Sequence, residues 1–312
     1  MLEGVSKKMS KRKKVLTYTI SILLGAVLIG SIGLNIYLFY YTYNIDNNRS
    51  YLEYPEEVYI MEAGILKNNL LFENGIDVTL VYDFDNADYT ELIQQYNITS
   101  IAGEGTELQR AIRLMNEFAP RLWHHSNYDN RIEIRALPLL EYSLNNKNNG
   151  INCRNKAQIL NEMCLALSIY SRKIWIMPNS PYDTDCHVVN EIWDTTLNKW
   201  VMLDMTNNQY WVDANGTPLS IIEIRTKGAL REFCTPVYPS DNFSNLQDLK
   251  EKYMPSFLYI MKNMVYTRYC AEYGVGEAEV EYLLFPKNLD KSLESGLLEI
   301  SEISVTNTPY EE

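Results

Sequence analysis

The sequence predicts an α+β domain in which a central helix packs on an antiparallel sheet, preceded by one transmembrane helix. Three stretches carry this expectation. Residues 15–43 contain no charged side chain. The stretch "NNGINCRNKAQIL" at 148–160 opens a broad apolar stripe at helical spacing. "HVVNEIW" and "WVMLDMT", joined by "DTTLNK", alternate at the period of two expected of paired strands. With 312 residues, 46% hydrophobic and 22% charged, the chain has material for a substantial core.

The uncharged run, "VLTYTISILLGAVLIGSIGLNIYLFYYTY", rises 1.5 Å per residue as a helix and exceeds a hydrocarbon core roughly 30 Å thick. A cleavable signal has an apolar region of only about 7 to 15 residues closed by small side chains. Here apolar and aromatic residues continue through Tyr43, which predicts a retained anchor. Six lysines and arginines against one glutamate in residues 1–14 place that tail in the cytoplasm. Tyr37, Tyr40, Tyr41 and Tyr43 gather where the helix would leave the bilayer. The expected topology is a single pass in the cell membrane, through residues 15–43, with the chain from about residue 44 outside the cell.

The charge divides along the same boundary. Residues 1–14 carry +5 and residues 15–43 none, so the −12 of the whole chain leaves −17 on the remainder. An exterior domain that acidic gives no reason to expect nucleic acid or an anionic lipid surface as ligand, and favours a neutral or cationic substrate. Five cysteines, Cys153, Cys164, Cys186, Cys234 and Cys270, form no CxxC pair, and the three histidines are too isolated for a closed zinc site. No metal and no cofactor is expected. Outside a cell at most two disulfides would form, leaving one thiol.

Beyond the membrane, residues 44–60 read as a linker with a short strand at its end, and "IDVTLVYDF" at 76–84 as a strand. A helix is expected from about 106 to 118, where Leu108, Ile112, Leu114 and Met115 recur near helical spacing and Pro120 stops it. Polar loops at 124–133 and 143–150 flank a short helical "ALPLLEYSL". Asn152 is an N-cap for the central helix, whose stripe runs through Ala157, Leu160, Cys164 and Leu167 and is widened by Ile159, Met163 and Ala166. "KIWIMP" is a strand and "NSPYDTDC" a turn before the hairpin. If Trp193 lies opposite Trp200, His187 lies opposite Thr206 and diagonal to Asp204, within side-chain reach. A one-residue slip would send Asp204 to the other face. "DANG" marks a further turn, "NLQDLKEKY" a helix and "PSFLYIMKNMVYTRYC" an apolar segment. The division is a tail at 1–14, a membrane helix at 15–43, a linker and first part of the ectodomain at 44–104, a core at 105–225 and a C-terminal extension at 226–312.

A thiol nucleophile needs a base to make the thiolate and a third group to fix the base. Cys153 in the first turn of a helix feels its positive end. His187 begins a strand, and Asp204 on the neighbouring strand supplies an orienting carboxylate. The histidine follows the cysteine by 34 positions and the aspartate follows by 17 more. Plainer readings stand beside this one. Cys164 lies in the apolar stripe as a core thiol, and His124 and His125 read as loop residues. Cys186, next to His187, is a competing thiol that a strand would point the opposite way, or a partner that bridges Cys153 and makes it inert.

"GINCRNKAQILNEMCLALSIYSRKIWIMP" followed by "HVVNEIWDTTLNKWVMLDMT" resembles the core of the transglutaminase-like superfamily. The shared features are a glycine shortly before a cysteine that opens a helix, an alanine four residues on, an arginine entering the next strand (Ser171-Arg172), a histidine starting a strand, and an aspartate closing the following one. The resemblance covers about 105–225. "IYSRK" stands where "GIPAR" is frequent, and Val188 and Val189 where an aromatic often follows the histidine. The resemblance implies a fold similar to papain-like cysteine proteases, with Cys153 as nucleophile, His187 as general base and acid, and Asp204 as orienter. The implied activity is acyl transfer on peptide or glutamine-type amides: hydrolysis if water resolves the thioester, crosslinking of proteins if an amine does. The implied partner is a peptide or protein substrate. The Cys153 N–H is one oxyanion donor, with Trp123, His124 or Asn127 as sources of another. A catalytically idle binding or structural domain is the alternative from another class.

Overall fold

The computed structural model describes residues 2–44, 54–180, 182–290, 292, 294 and 296–310. It forms two compact units, residues 1–55 and 56–312.

The first unit is dominated by one helix, α1 (Leu2–Asn44). Within it Tyr18–Leu38 is long and apolar enough to cross a membrane, a shorter window than the uncharged run. None of that window is buried inside protein, which separates it from the core helix of a globular domain. Tyr37 is exposed. The side chains at 40, 41 and 43 and most of the expected linker, at 45–53, lie outside the described residues.

The second unit is α+β. It begins with α2 (Pro55–Asn68), where a short strand had been expected. Pro55 in the first turn and Glu56 and Glu57 beside the positive helix end favour the helix over the strand propensity of "VYI". The strand expected over 76–84 shrinks to β1 (Val81–Tyr82). The residues before it run extended against the C-terminal chain, with an isolated Ile76–Ile300 bridge and a bond from Val78 N–H to Ser304 Oγ, and so form no longer ladder. Helices α3 (Ala87–Tyr96), α4 (Ile98–Ala102) and α5 (Glu107–Phe118) follow. The bounds of α5 are set by a capping box between Thr106 and Gln109 and by a 3-10 turn at Ala119–Arg121 that contains Pro120. Leu108, Ala111, Leu114, Met115 and Phe118 face the core. Next come α6 (Ala136–Asn145) and the central α7 (Cys153–Leu165). From Asn155 onward every residue of α7 is buried, the sign of a helix enclosed on all sides.

The sheet begins with β2 (Ser171–Met177), β3 (His187–Asp194), β4 (Lys199–Asp204) and β5 (Gln209–Asp213). The chain continues through α8 (Ile221–Leu230), β6 (Cys234–Val237), a 3-10 turn at Phe243–Asn245, α9 (Leu246–Lys252), α10 (Met254–Lys262), β7 (Tyr266–Cys270) and β8 (Glu272–Tyr273). It closes with β9 (Val280–Leu284), β10 (Leu298–Glu299) and α11 (Glu302–Thr306). Eight strands lie in the order β10-β9-β7-β2-β3-β4-β5-β6. The sheet is mixed rather than wholly antiparallel, because β10 joins β9 in parallel at the edge. The stretch set apart as a C-terminal extension thus supplies β6, β7, β9 and β10 to the same sheet as the central strands.

Trp193 pairs with Trp200, the register on which the proximity of His187 and Asp204 depends. Helix α7 is tied to β3 through the Asn190 amide, which donates to Ala157 O at 2.9 Å. The Leu108 N–H at the start of α5 donates to Asp194 at the far end of β3. Arg172, on β2, is buried against Glu191 on β3 at 2.6 Å and stacks over Trp200. The other oxygen of Glu191 accepts the Ile221 N–H that opens α8. The arginine picked out in the sequence is therefore a strand-to-strand clamp.

Candidate active site

Cys153 is the first residue of α7, and the residues around it fix that position. Asn152 Oδ1 accepts the Asn155 N–H at 3.2 Å, and Asn155 Oδ1 accepts the Asn152 N–H at 3.3 Å. Both amide groups also donate to Asn130 Oδ1 at 3.2 Å. This asparagine cluster satisfies N–H groups that a helix start leaves open. The Cys153 N–H has no intrahelical acceptor, so it is available to an oxyanion. A parallel bridge between His124 and Ile151 brings the 123–125 segment alongside the helix front.

His187 begins β3 and Asp204 ends β4, and both are buried. His187 Nε2 lies 3.0 Å from Asp204 Oδ2. Asp204 Oδ1 accepts the Thr206 and Asn207 N–H groups, and Oδ2 accepts the Asn207 side-chain amide at 2.7 Å. The Gln209 amide also reaches Oδ2, and its oxygen accepts the Ser256 hydroxyl. With Nε2 committed to Asp204, Nδ1 is the ring nitrogen left for the hydrogen bond with Cys153. Tyr259 of α10 meets the His187 ring edge-on, 5.4 Å between centroids, and donates to Asp185.

Burial by itself would raise the Cys153 thiol, but the hydrogen bond and positive charge of His187, with the Val188 N–H, bring it below the ordinary thiol value. Burial would lower His187, yet the Asp204 carboxylate and the Cys153 sulfur raise it well above the ordinary imidazole value. Asp204, against its burial, is held below the usual carboxylate range by His187 and Asn207. These shifts run in the direction that favours a thiolate–imidazolium pair backed by a carboxylate. Cys186 takes the opposite course: burial and then the charge of Cys153 raise its thiol. Burial lifts Cys164 to about 12, as expected of a core thiol. All five cysteines are free, so no bridge closes the site.

A cleft of about 440 Å³ opens over the sulfur, with Cys153, His187, His124, Asn127, Trp175 and Tyr259 on its walls. His124, which had read either as a loop residue or as a source of an oxyanion donor, thus belongs to the cleft. Its Nε2 lies 3.0 Å from Ser126 Oγ, and partial burial with the nearby Lys156 charge lowers its affinity for a proton. A second cavity, of about 400 Å³, lies beside Arg172 and Trp200 and is lined by neither cysteine nor histidine. Among the described residues no group of three His, Cys, Asp or Glu side chains is placed to hold a metal ion.

The structure brings Cys153, His187 and Asp204 together. It adds residues that sequence reasoning passed over: Asn207 and Gln209 behind Asp204, Tyr259 against His187, and the buried Lys156, whose ammonium burial lowers to about 8. Only Lys156 left a signal in the sequence, a lysine three positions after Cys153 and therefore on its helical face. Comparison of the chain with models of known protein families, with curated proteins and with solved structures finds no match.

Proposed function

We propose that this site carries out thiol-dependent acyl transfer on peptide or glutamine-type amides, with hydrolysis as the outcome, as in the transglutaminase-like superfamily that the sequence resembles. The observation that carries the reading is the buried Cys153–His187–Asp204 arrangement, with the thiol lowered and the imidazole raised. The Cys153 thiolate attacks the amide carbonyl carbon and forms a C–S bond. The oxyanion is received by the Cys153 N–H and by a donor from the 123–127 wall. The C–N bond then breaks as the His187 Nδ1 proton passes to the departing amine, leaving a thioester. His187 next takes a proton from water, the hydroxide adds to the thioester, and collapse releases the acid and restores the thiolate. A primary amine in place of water would crosslink two proteins.

The apolar helix supports a membrane-tethered enzyme with the basic tail in the cytoplasm and the catalytic unit outside. The acidic character of that unit favours neutral or cationic peptides over anionic ligands.

The test uses the full-length protein in detergent with glutamine-containing peptides, with and without an added primary amine. Mass spectrometry should find a deamidated or cleaved product, a thioester on Cys153, and neither in Cys153→Ala. Iodoacetamide should modify Cys153 at about pH 6, where an unperturbed thiol is almost wholly protonated. A Cys153 no more reactive than an ordinary thiol would defeat the reading and leave an idle binding domain.

A further inference from the structure

Two lysines of this unit are almost fully buried, and they differ in one respect. Lys173 donates to Gln158 and Glu277 and lies over the Trp175 ring. Lys156 is 2% exposed, yet among the described residues its ammonium makes no hydrogen bond and no salt bridge. A buried ammonium without a fixed partner costs stability. It persists in folded proteins where function requires it.

Lys156 lies three residues beyond Cys153 on α7. Helix geometry places such residues on one face, with side chains leaning toward the N-terminus. The ammonium interacts electrostatically with Asp204 on β4, Cys153 on its own helix and His124 on the bridged segment. In the proposed cycle the triad carries one net negative charge at every stage. At rest it is thiolate, imidazolium and carboxylate. In the tetrahedral intermediate the sulfur's charge has moved to oxygen, and in the thioester only Asp204 remains charged. Asp204 and His187 are nearly or fully excluded from solvent, so water does little to offset this charge. Burial and then the Asp204 carboxylate both work against the Cys153 thiolate.

We infer that Lys156 is a positioning residue whose ammonium is the counter-charge to Asp204, allowing a carboxylate to orient His187 without suppressing the Cys153 thiolate. The inference rests on the acyl-transfer reading of Cys153. Lys156 touches no reacting atom in this scheme. It brings the net charge of the site to zero throughout the cycle.

The test follows the rate of Cys153 modification by iodoacetamide against pH, read by peptide mass spectrometry, in full-length wild type, Lys156→Met and Lys156→Gln. Thermal midpoints are measured alongside. Both variants should melt at or above the wild-type temperature, since an unpaired buried charge is gone. On the acidic limb Cys153 should react about tenfold more slowly, the effect of losing one nearby positive charge, and the curves should converge at alkaline pH. A wild-type pH profile in both variants would overturn the inference. So would the unfolding of both, which would make Lys156 a structural residue. An unreactive Cys153 in the wild type is a separate result, which defeats the acyl-transfer reading itself.

Discussion

Asp204 is fully buried and receives N–H groups from Thr206, Asn207 and Gln209 in addition to meeting His187. Those donors stabilise a carboxylate that burial would otherwise protonate. Asp204→Asn keeps an oxygen for the backbone donors but removes the charge that raises His187. Turnover should fall about 10²- to 10⁴-fold, measured with whichever peptide serves the wild type. The sign of the pH effect is fixed by the direction of the shift. A carboxyl lowered in the folded state contributes stability that is present above its unfolded value, about 4, and lost as pH falls through the lowered one. The variant should therefore lose less of its thermal stability than the wild type as pH falls below about 4, and equal acid sensitivity would refute the assignment. Cys153, His187 and Asp204 were legible in the sequence because one helix start and one hairpin register suffice to bring them close. Lys156, signalled only by its spacing from Cys153, and His124, named only among candidate oxyanion donors, were less so. A polar residue on an apolar stripe reads as its flank, and the bridge from His124 to Ile151 joins segments that no local pattern links.

At the scale of elements, the front of α7 depends on backbones passing close together. Ile151 N–H donates to Trp123 O and His125 N–H to Ile151 O, at 2.9 and 3.0 Å. A Cβ added at Gly150 would lie 2.8 Å from His125 Cβ and 3.3 Å from Trp123 O. Gly150→Ala should push the 123–125 wall away from the helix, costing about 1 to 3 kcal/mol in denaturant unfolding. Modification of Cys153 should slow as well, since the wall and the helix front move together. A variant with wild-type stability would show that the two segments are not tightly apposed. The central helix and hairpin could be read from sequence because their periodicities are long and clean. The strand expected before residue 60 failed because Pro55 and two glutamates make a helix start, a signal carried by end residues rather than by the apolar pattern. The strand expected over 76–84 had alternation but almost no partner, and alternation alone makes no ladder.

For the whole molecule, the decisive contacts join distant parts of the chain. β2 lies between β3 and β7, and β7 between β2 and β9, so the far end of the sequence completes the sheet around the site. No short-range pattern announces such pairings, which is why residues 226–312 gave up little in sequence. The helix long and apolar enough to cross a membrane was legible because length and absence of charge are local properties. The full chain should sediment with membranes through high-salt and alkaline washes, while a chain lacking residues 1–43 should not. Release of the full chain by salt alone would rule out an integral anchor.

The strand order also sets a schedule. Cys153, His187 and Asp204 leave the ribosome well before Tyr259, which packs on His187, and before the strands that cover the edge of β2. A nascent or prematurely stopped chain therefore lacks the strand that covers β2, which is left as an open, adhesive edge. Until β7 pairs with that edge, an unfinished copy is a substrate for quality control.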